Sequence, residues 1–153
     1  MIYVGKLNDY RILHEQWDEK WAIVRSYKHA STAFKQIAVL SPSTDLFYMY
    51  RDMVDKKTWE QATFERDYVP NFLKQMHGPE EVAKLNELYN LSKTKKIALA
   101  CFCSDEDMCH RSIIAGLLSG AGANVQTSSG NDYSKYWTMY NDPAHWQGAT
   151  IKY

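Results

Sequence analysis

The sequence predicts an α/β fold: a single domain with a mainly parallel sheet, helices on both faces and a helical insertion in the middle. Three observations carry this. Short apolar, β-branched or aromatic runs begin near Met1, Trp21 and Lys96, the signature of strands. The stretches between them place apolar residues at helical spacing. Strands that alternate with helices are joined by crossovers, which build a parallel sheet and cover its faces. The 153 residues suit one domain. Residues 1–127 are expected to form its α/β body, and 128–153 an aromatic-rich tail packed on it.

Met1–Lys6 reads as the first strand, and Leu7–Lys20 as a connection or short helix. Trp21–Ser26 is a second strand, and 27–32 a polar loop. Lys35–Leu40 is a weaker strand, stopped by Ser41-Pro42-Ser43. Ser43 or Thr44 then caps a helix carrying Leu46, Met49, Tyr50 and Met53 on one face. Trp59, Phe64, Tyr68 and Phe72 recur at intervals of four or five, a helical period. Thr58 and Gln61 are placed to form its capping box, and Pro70 to kink or interrupt it. Gly78-Pro79 stops one helix and starts the next, which runs to about Ser92. Lys96–Phe102 is the following strand. A helix over about 112–119, a glycine-rich turn at Gly120-Ala121-Gly122 and a short strand at Asn124–Thr127 complete the body.

Lysine plus arginine and aspartate plus glutamate both number 18, so the formal net charge is zero. No global field draws the chain to nucleic acid or membrane, although Lys93, Lys95 and Lys96 form a candidate basic patch. No apolar run is long enough to cross a bilayer. All three cysteines lie within nine positions, which is not the spread of a disulfide framework. With no signal peptide evident, a reducing, cytoplasmic setting is expected.

The segment Cys101-Phe102-Cys103-Ser104-Asp105-Glu106-Asp107-Met108-Cys109-His110-Arg111 is where chemistry concentrates. It leaves the carboxyl end of a strand and enters a helix, the usual ligand position in an open α/β sheet. Three readings stay open. The cysteines are small core hydrophobes. Or Cys109 is a thiolate favoured by the helix end and Arg111, with Arg111 and free backbone N–H groups gripping an anion. Or Cys101, Cys103 and Cys109 ligate a metal, with His110 as a candidate fourth donor. The anion reading is preferred to the metal one because the spacing lacks a clear fourth ligand. The site residues are then Cys109 as nucleophile or redox thiol and His110 as acid or base, with Cys103, Arg111 and Ser112 binding ligand. Asp105, Glu106 and Asp107 are read as solvated surface.

The C-x-C, acidic loop and Cys109-His110-Arg111 pattern resembles the DUF488 family, a group named for its unknown function. Further similarity lies in Leu40-Ser41-Pro42-Ser43, in the Trp59/Phe64/Tyr68 helix and in the helix from Glu80 to Ser92; it covers roughly residues 1 to 127. The resemblance implies a compact α/β domain with a site around Cys103, Cys109, His110 and Arg111, and names no cofactor. The expected function is binding of a small anionic ligand, nucleotide or phosphate-bearing, with thiol chemistry as an extension. The alternatives are a Cys-ligated metal protein, or a non-catalytic module that presents tail rings such as Tyr136 and Trp137 to nucleic acid or protein.

Overall fold

The computed structural model describes residues 1–26 and 33–151. The polar loop expected over 27–32, and Tyr153 of the tail, lie outside the described residues. Five strands form one parallel sheet in the order β3-β2-β4-β1-β5: β1 Ile2–Lys6, β2 Glu19–Ala22, β3 Lys35–Gln36, β4 Ile97–Cys101 and β5 Val125–Thr127.

The central strand β4 is buried along its whole length, which is why Ile97-Ala98-Leu99-Ala100-Cys101 is apolar without alternation. Its two faces still differ. Ile97, Leu99 and Cys101 join a large core with Ile2, Val4, Trp21 and the helical insertion. Ala98 and Ala100 join a thin one with Tyr3 and Ile12. The short α1, Tyr10–His14, covers the thin face; its N-cap Asp9 accepts from the amides of Arg11 and Ile12. The thick face carries α2 Thr44–Asp55, α4 Val69–Gln75, α5 Pro79–Ser92 and α6 His110–Gly120.

Ser43 caps α2 through its hydroxyl, and Pro79 starts α5, both as the sequence indicates. Other boundaries differ for local reasons. The second strand ends at Ala22 rather than Ser26, because beyond Ile23 the chain parts from β4 and its carbonyl serves a side chain instead. The third is two residues long, and Ala38–Leu40 tightens into a 3-10 turn that buries Leu40. The capping box belongs to Glu60 and Thr63 in the short α3, Gln61–Thr63. Thr58 instead donates back to the Met53 carbonyl, 3.3 Å away, closing the preceding helix. Interruption before Pro70 takes the form of a π-helical turn over Phe64–Tyr68, which leaves the proline in the first turn of α4, where its missing N–H is tolerated. Gly120 lies inside α6 rather than in the turn after it.

The tail forms α7, Lys135–Tyr140, which packs on α6. Gly116 and Gly120 are one helical turn apart, and a Cβ on either would overlap Tyr133 or Trp137. Tyr136 is buried, so its ring presents no face to a nucleic acid. His77 is stacked between Tyr140 and Trp146, with ring centroids at 3.8 and 3.9 Å. At the amino ends of the strands, Lys96 and Lys95 pair with Glu15 and Glu19, which offsets the basic trio. Among the described residues no helix is long and apolar enough to cross a membrane.

Candidate functional site

Strand order fixes where a crevice opens. From β2 the chain moves outward to β3, and from β4 it moves the other way, past β1 to β5. The two connections diverge at the carboxyl ends of these neighbouring strands, the topological switch point of an open parallel sheet. A cavity of about 620 Å³ lies there. One wall is Ile23, Val24, Arg25 and Ser26, leaving β2; another is Cys101 to Ser104, leaving β4. The helical insertion supplies the aromatic wall: Phe47, Tyr48, Tyr50, Trp59 and Tyr68. Cys109 and His110 form part of the floor, and Phe102 and Tyr48 are exposed at the mouth.

The rings form a connected stack. Trp59 meets Tyr50 edge-on at 4.8 Å and Tyr68 at 5.6 Å. Tyr68 stacks on Phe72, which in turn lies 5.7 Å from the His110 ring. Burial, together with the nearby cysteines, pushes the Tyr68 hydroxyl well above the usual tyrosine range. Two cations border this wall: Arg25 and Arg51 stand over the Phe47 ring at 5.6 and 5.9 Å. Arg25 also donates to the Thr44 hydroxyl at 2.7 Å.

Strand parity and one tight turn assemble the floor. Cys101 points to the thick face, and the chain returns through a 3-10 turn at Glu106–Met108. Cys109 is extended (φ −130°, ψ 145°) and is the N-cap of α6, but its side chain caps no amide. It turns inward, so that Cys101 Sγ and Cys109 Sγ are 3.2 Å apart. His110 Nδ1 lies 3.6 Å from Cys109 Sγ and 4.0 Å from Cys103 Sγ. His110 Nε2 is 2.8 Å from the Ile23 carbonyl. A carbonyl only accepts, so Nε2 carries a hydrogen, and it is Nδ1, with a lone pair when the ring is neutral, that faces the thiols.

The sequence reading assigns the thiolate to Cys109 and an anion to Arg111; in the structure both side chains are buried. Arg111 is 2 % exposed and lies behind the thiols. It donates to the Cys103 carbonyl at 2.6 Å and to Cys101 Sγ at 3.3 Å. Among the described residues its Nε has no hydrogen-bond partner. A guanidinium does not shed its proton, and a buried charge requires a counter-charge. Burial opposes ionisation of Cys101, yet hydrogen bonds from Cys103 and Cys109 and the nearby His110 and Arg111 outweigh it and hold its thiol below the usual range. Cys109 goes the other way: burial first, then its bond to Cys101, raise it. The bond to Cys101 pushes Cys103 up to about 12. Cys103 is the half-buried member of the three; Cys101 and Cys109 are fully buried. Ser112, expected at the ligand, is buried and donates to the Cys109 carbonyl at 2.8 Å, holding the helix start.

The acidic run is not simply solvated. Glu106 is buried and accepts from Ser128, Ser129 and Tyr133. The same Tyr133 hydroxyl lies 2.6 Å from Asp107 Oδ1, so its one hydrogen is shared between the two carboxylates, and Asp105 caps the 3-10 turn. The run thus anchors the cysteine loop to the segment after β5. The sequence reading also missed the cavity's aromatic wall and Arg25. Helical period placed those rings on a face, but only the abundance of aromatic residues hinted that the face would be left open.

No curated protein and no solved structure matches the chain. Residues 7–122 match the family model described as the active DUF488-N3 subclade. That span holds the cysteine loop, the aromatic wall and strands β2, β3 and β4, and the chain belongs to the DUF488 family through its N3 subclade.

Proposed function

We propose that the cavity binds a small ligand in which a flat ring carries an anionic group, a nucleotide or similar phosphate-bearing molecule. The observation that carries this reading is one concave site with an aromatic wall, a cationic rim and a thiol–imidazole floor. Stacking a base on an aromatic side chain contributes about 1–3 kcal/mol. Arg25 adds a fork suited to phosphate, and takes the anion-clamping role expected of Arg111, which is buried behind the thiols. Cys103 is the thiol that a bound molecule meets first, since Cys101 and Cys109 are covered. His110 is the candidate acid–base group beside it.

Titration of the full chain with nucleoside monophosphates, the matching nucleosides and inorganic phosphate tests this, with tryptophan fluorescence and calorimetry as readouts. The monophosphate is expected to bind tighter than either part. Arg25→Ala should weaken it about 10-fold or more, the worth of a charge-assisted hydrogen bond. Trp59→Leu should weaken nucleoside and nucleotide alike. Saturable binding by none of these compounds, or binding indifferent to both substitutions, overturns the reading.

A further inference from the structure

We propose that Cys101, Cys103, Cys109 and His110 together bind one soft divalent metal ion, zinc in the first instance, at the cavity floor. The proposal goes beyond the ligand reading and does not rest on it.

Geometry comes first. The three Sγ atoms and one imidazole nitrogen all lie within 4.8 Å of one another. Zinc bonds of about 2.3 Å to sulfur and 2.0–2.1 Å to nitrogen, set tetrahedrally, hold donors about 3.5–3.8 Å apart. The separations of 3.2, 3.6 and 4.0 Å bracket that spacing. The fourth donor that sequence spacing left open is His110, delivered by the first turn of α6.

Orientation comes second. The Nε2–H of His110 is fixed on the Ile23 carbonyl at 2.8 Å. That bond selects the tautomer whose free lone pair points at the thiols, as metal-ligating histidines are commonly held.

Charge is the third argument. Three thiolates, one divalent ion and a neutral imidazole sum to −1. Arg111 supplies +1 directly behind them, touching Cys101 Sγ and the Cys103 carbonyl, and among the described residues it pairs with no carboxylate. A buried guanidinium with thiols for neighbours is compensated by a centre of this charge. Thiolate and imidazole donors select zinc and similar ions over magnesium or calcium. Binding releases the thiol protons to solvent. With four protein donors the coordination shell is closed, so the ion would organise the floor, and with it bound Cys103 and His110 act as ligands rather than as a free thiol and an acid–base group.

The test is a titration of the reduced, chelator-stripped full chain with Co²⁺ under anaerobic conditions, followed by Zn²⁺. One Co²⁺ per chain is expected, with thiolate-to-cobalt charge-transfer absorption and tetrahedral d–d bands that Zn²⁺ abolishes. Cys103→Ser and His110→Gln should each lower Co²⁺ affinity by about 10-fold or more. Circular dichroism establishes that each variant is folded; Cys103→Ser alters a half-buried loop residue and carries the test if the more buried His110 variant misfolds. Folded protein that shows no charge-transfer band overturns the proposal. So does a band unchanged in Cys103→Ser. So does a Cys101–Cys109 disulfide in isolated protein whose reduced form takes up no cobalt. Nucleotide binding is read separately, so failure of either assay leaves the other standing.

Discussion

His110 Nε2 lies 2.8 Å from the carbonyl oxygen of Ile23, 87 residues earlier in the chain. The bond joins the first residue of α6 to the end of β2, where that strand stops pairing. It aligns the imidazole with the thiols and satisfies a carbonyl that has left the sheet.

Replacing His110 with Phe keeps a ring against Phe72 but leaves the Ile23 carbonyl without its donor. A buried acceptor so orphaned costs about 1–3 kcal/mol. Urea denaturation of reduced, chelator-treated protein should show that loss, with little change in the slope. A cost near zero would mean that the bond is made only weakly in solution.

Access separates the thiols. Cys101 and Cys109 are 0 % and 1 % exposed, whereas Cys103 is half-buried. In metal-free, folded protein access should outweigh the raised Cys103 thiol, so a short iodoacetamide pulse should label Cys103 ahead of the other two, and denaturant should bring all three to similar rates. Mass spectrometry of the digested chain reads this. Faster labelling of Cys109 would restore the arrangement that sequence alone suggested, with that thiol at the surface of a helix end.

Gly120→Ala probes the docking of the tail. A Cβ there would overlap the Trp137 side chain, its Cβ included, on the adjoining helix. Forced overpacking of this kind costs about 1–3 kcal/mol. The same change at Gly148, where a Cβ meets nothing within 4 Å, should stay within about 0.5 kcal/mol. Thermal denaturation compares them; equal effects would show that α7 does not sit closely on α6.

Acid stability tests the charge cluster at the far end of the sheet. Glu19 accepts from Lys35 at 2.6 Å and from Trp21 Nε1 at 3.0 Å. The bond from Lys35, then that from Trp21, hold its carboxyl down to about 2. Because the folded state binds that proton less tightly than the unfolded chain, the contribution is present above the ordinary glutamate range and is lost as pH falls towards about 2. Glu19→Gln should be less stable than the native chain at neutral pH, with the gap closing between pH 4.5 and 2. A gap that does not change with pH would assign the effect to packing.

Residue order alone determined the parallel α/β class. It also placed β1 and β4, the starts of α2 and α5, and the Cys101–Arg111 segment at the carboxyl end of β4 and the start of α6. Each follows from local physics. An unbroken apolar run such as Ile97–Cys101 suits a strand covered on both faces, and Ser43 and Pro79 satisfy helix starts within their own turn. Tertiary structure decided where the side chains of that segment lie. Whether Arg111 faces a ligand or backs the thiols depends on how α6 rotates against β4, and that is set by packing on α4 and α7. Whether Glu106 is solvated depends on Ser128, Ser129 and Tyr133, more than 20 residues away. The fourth donor of the Cys–His cluster depends on a hydrogen bond across 87 residues. Spacing along the chain records which residues are neighbours in one element; it holds no record of distance between elements, and in this protein the chemistry lies between them.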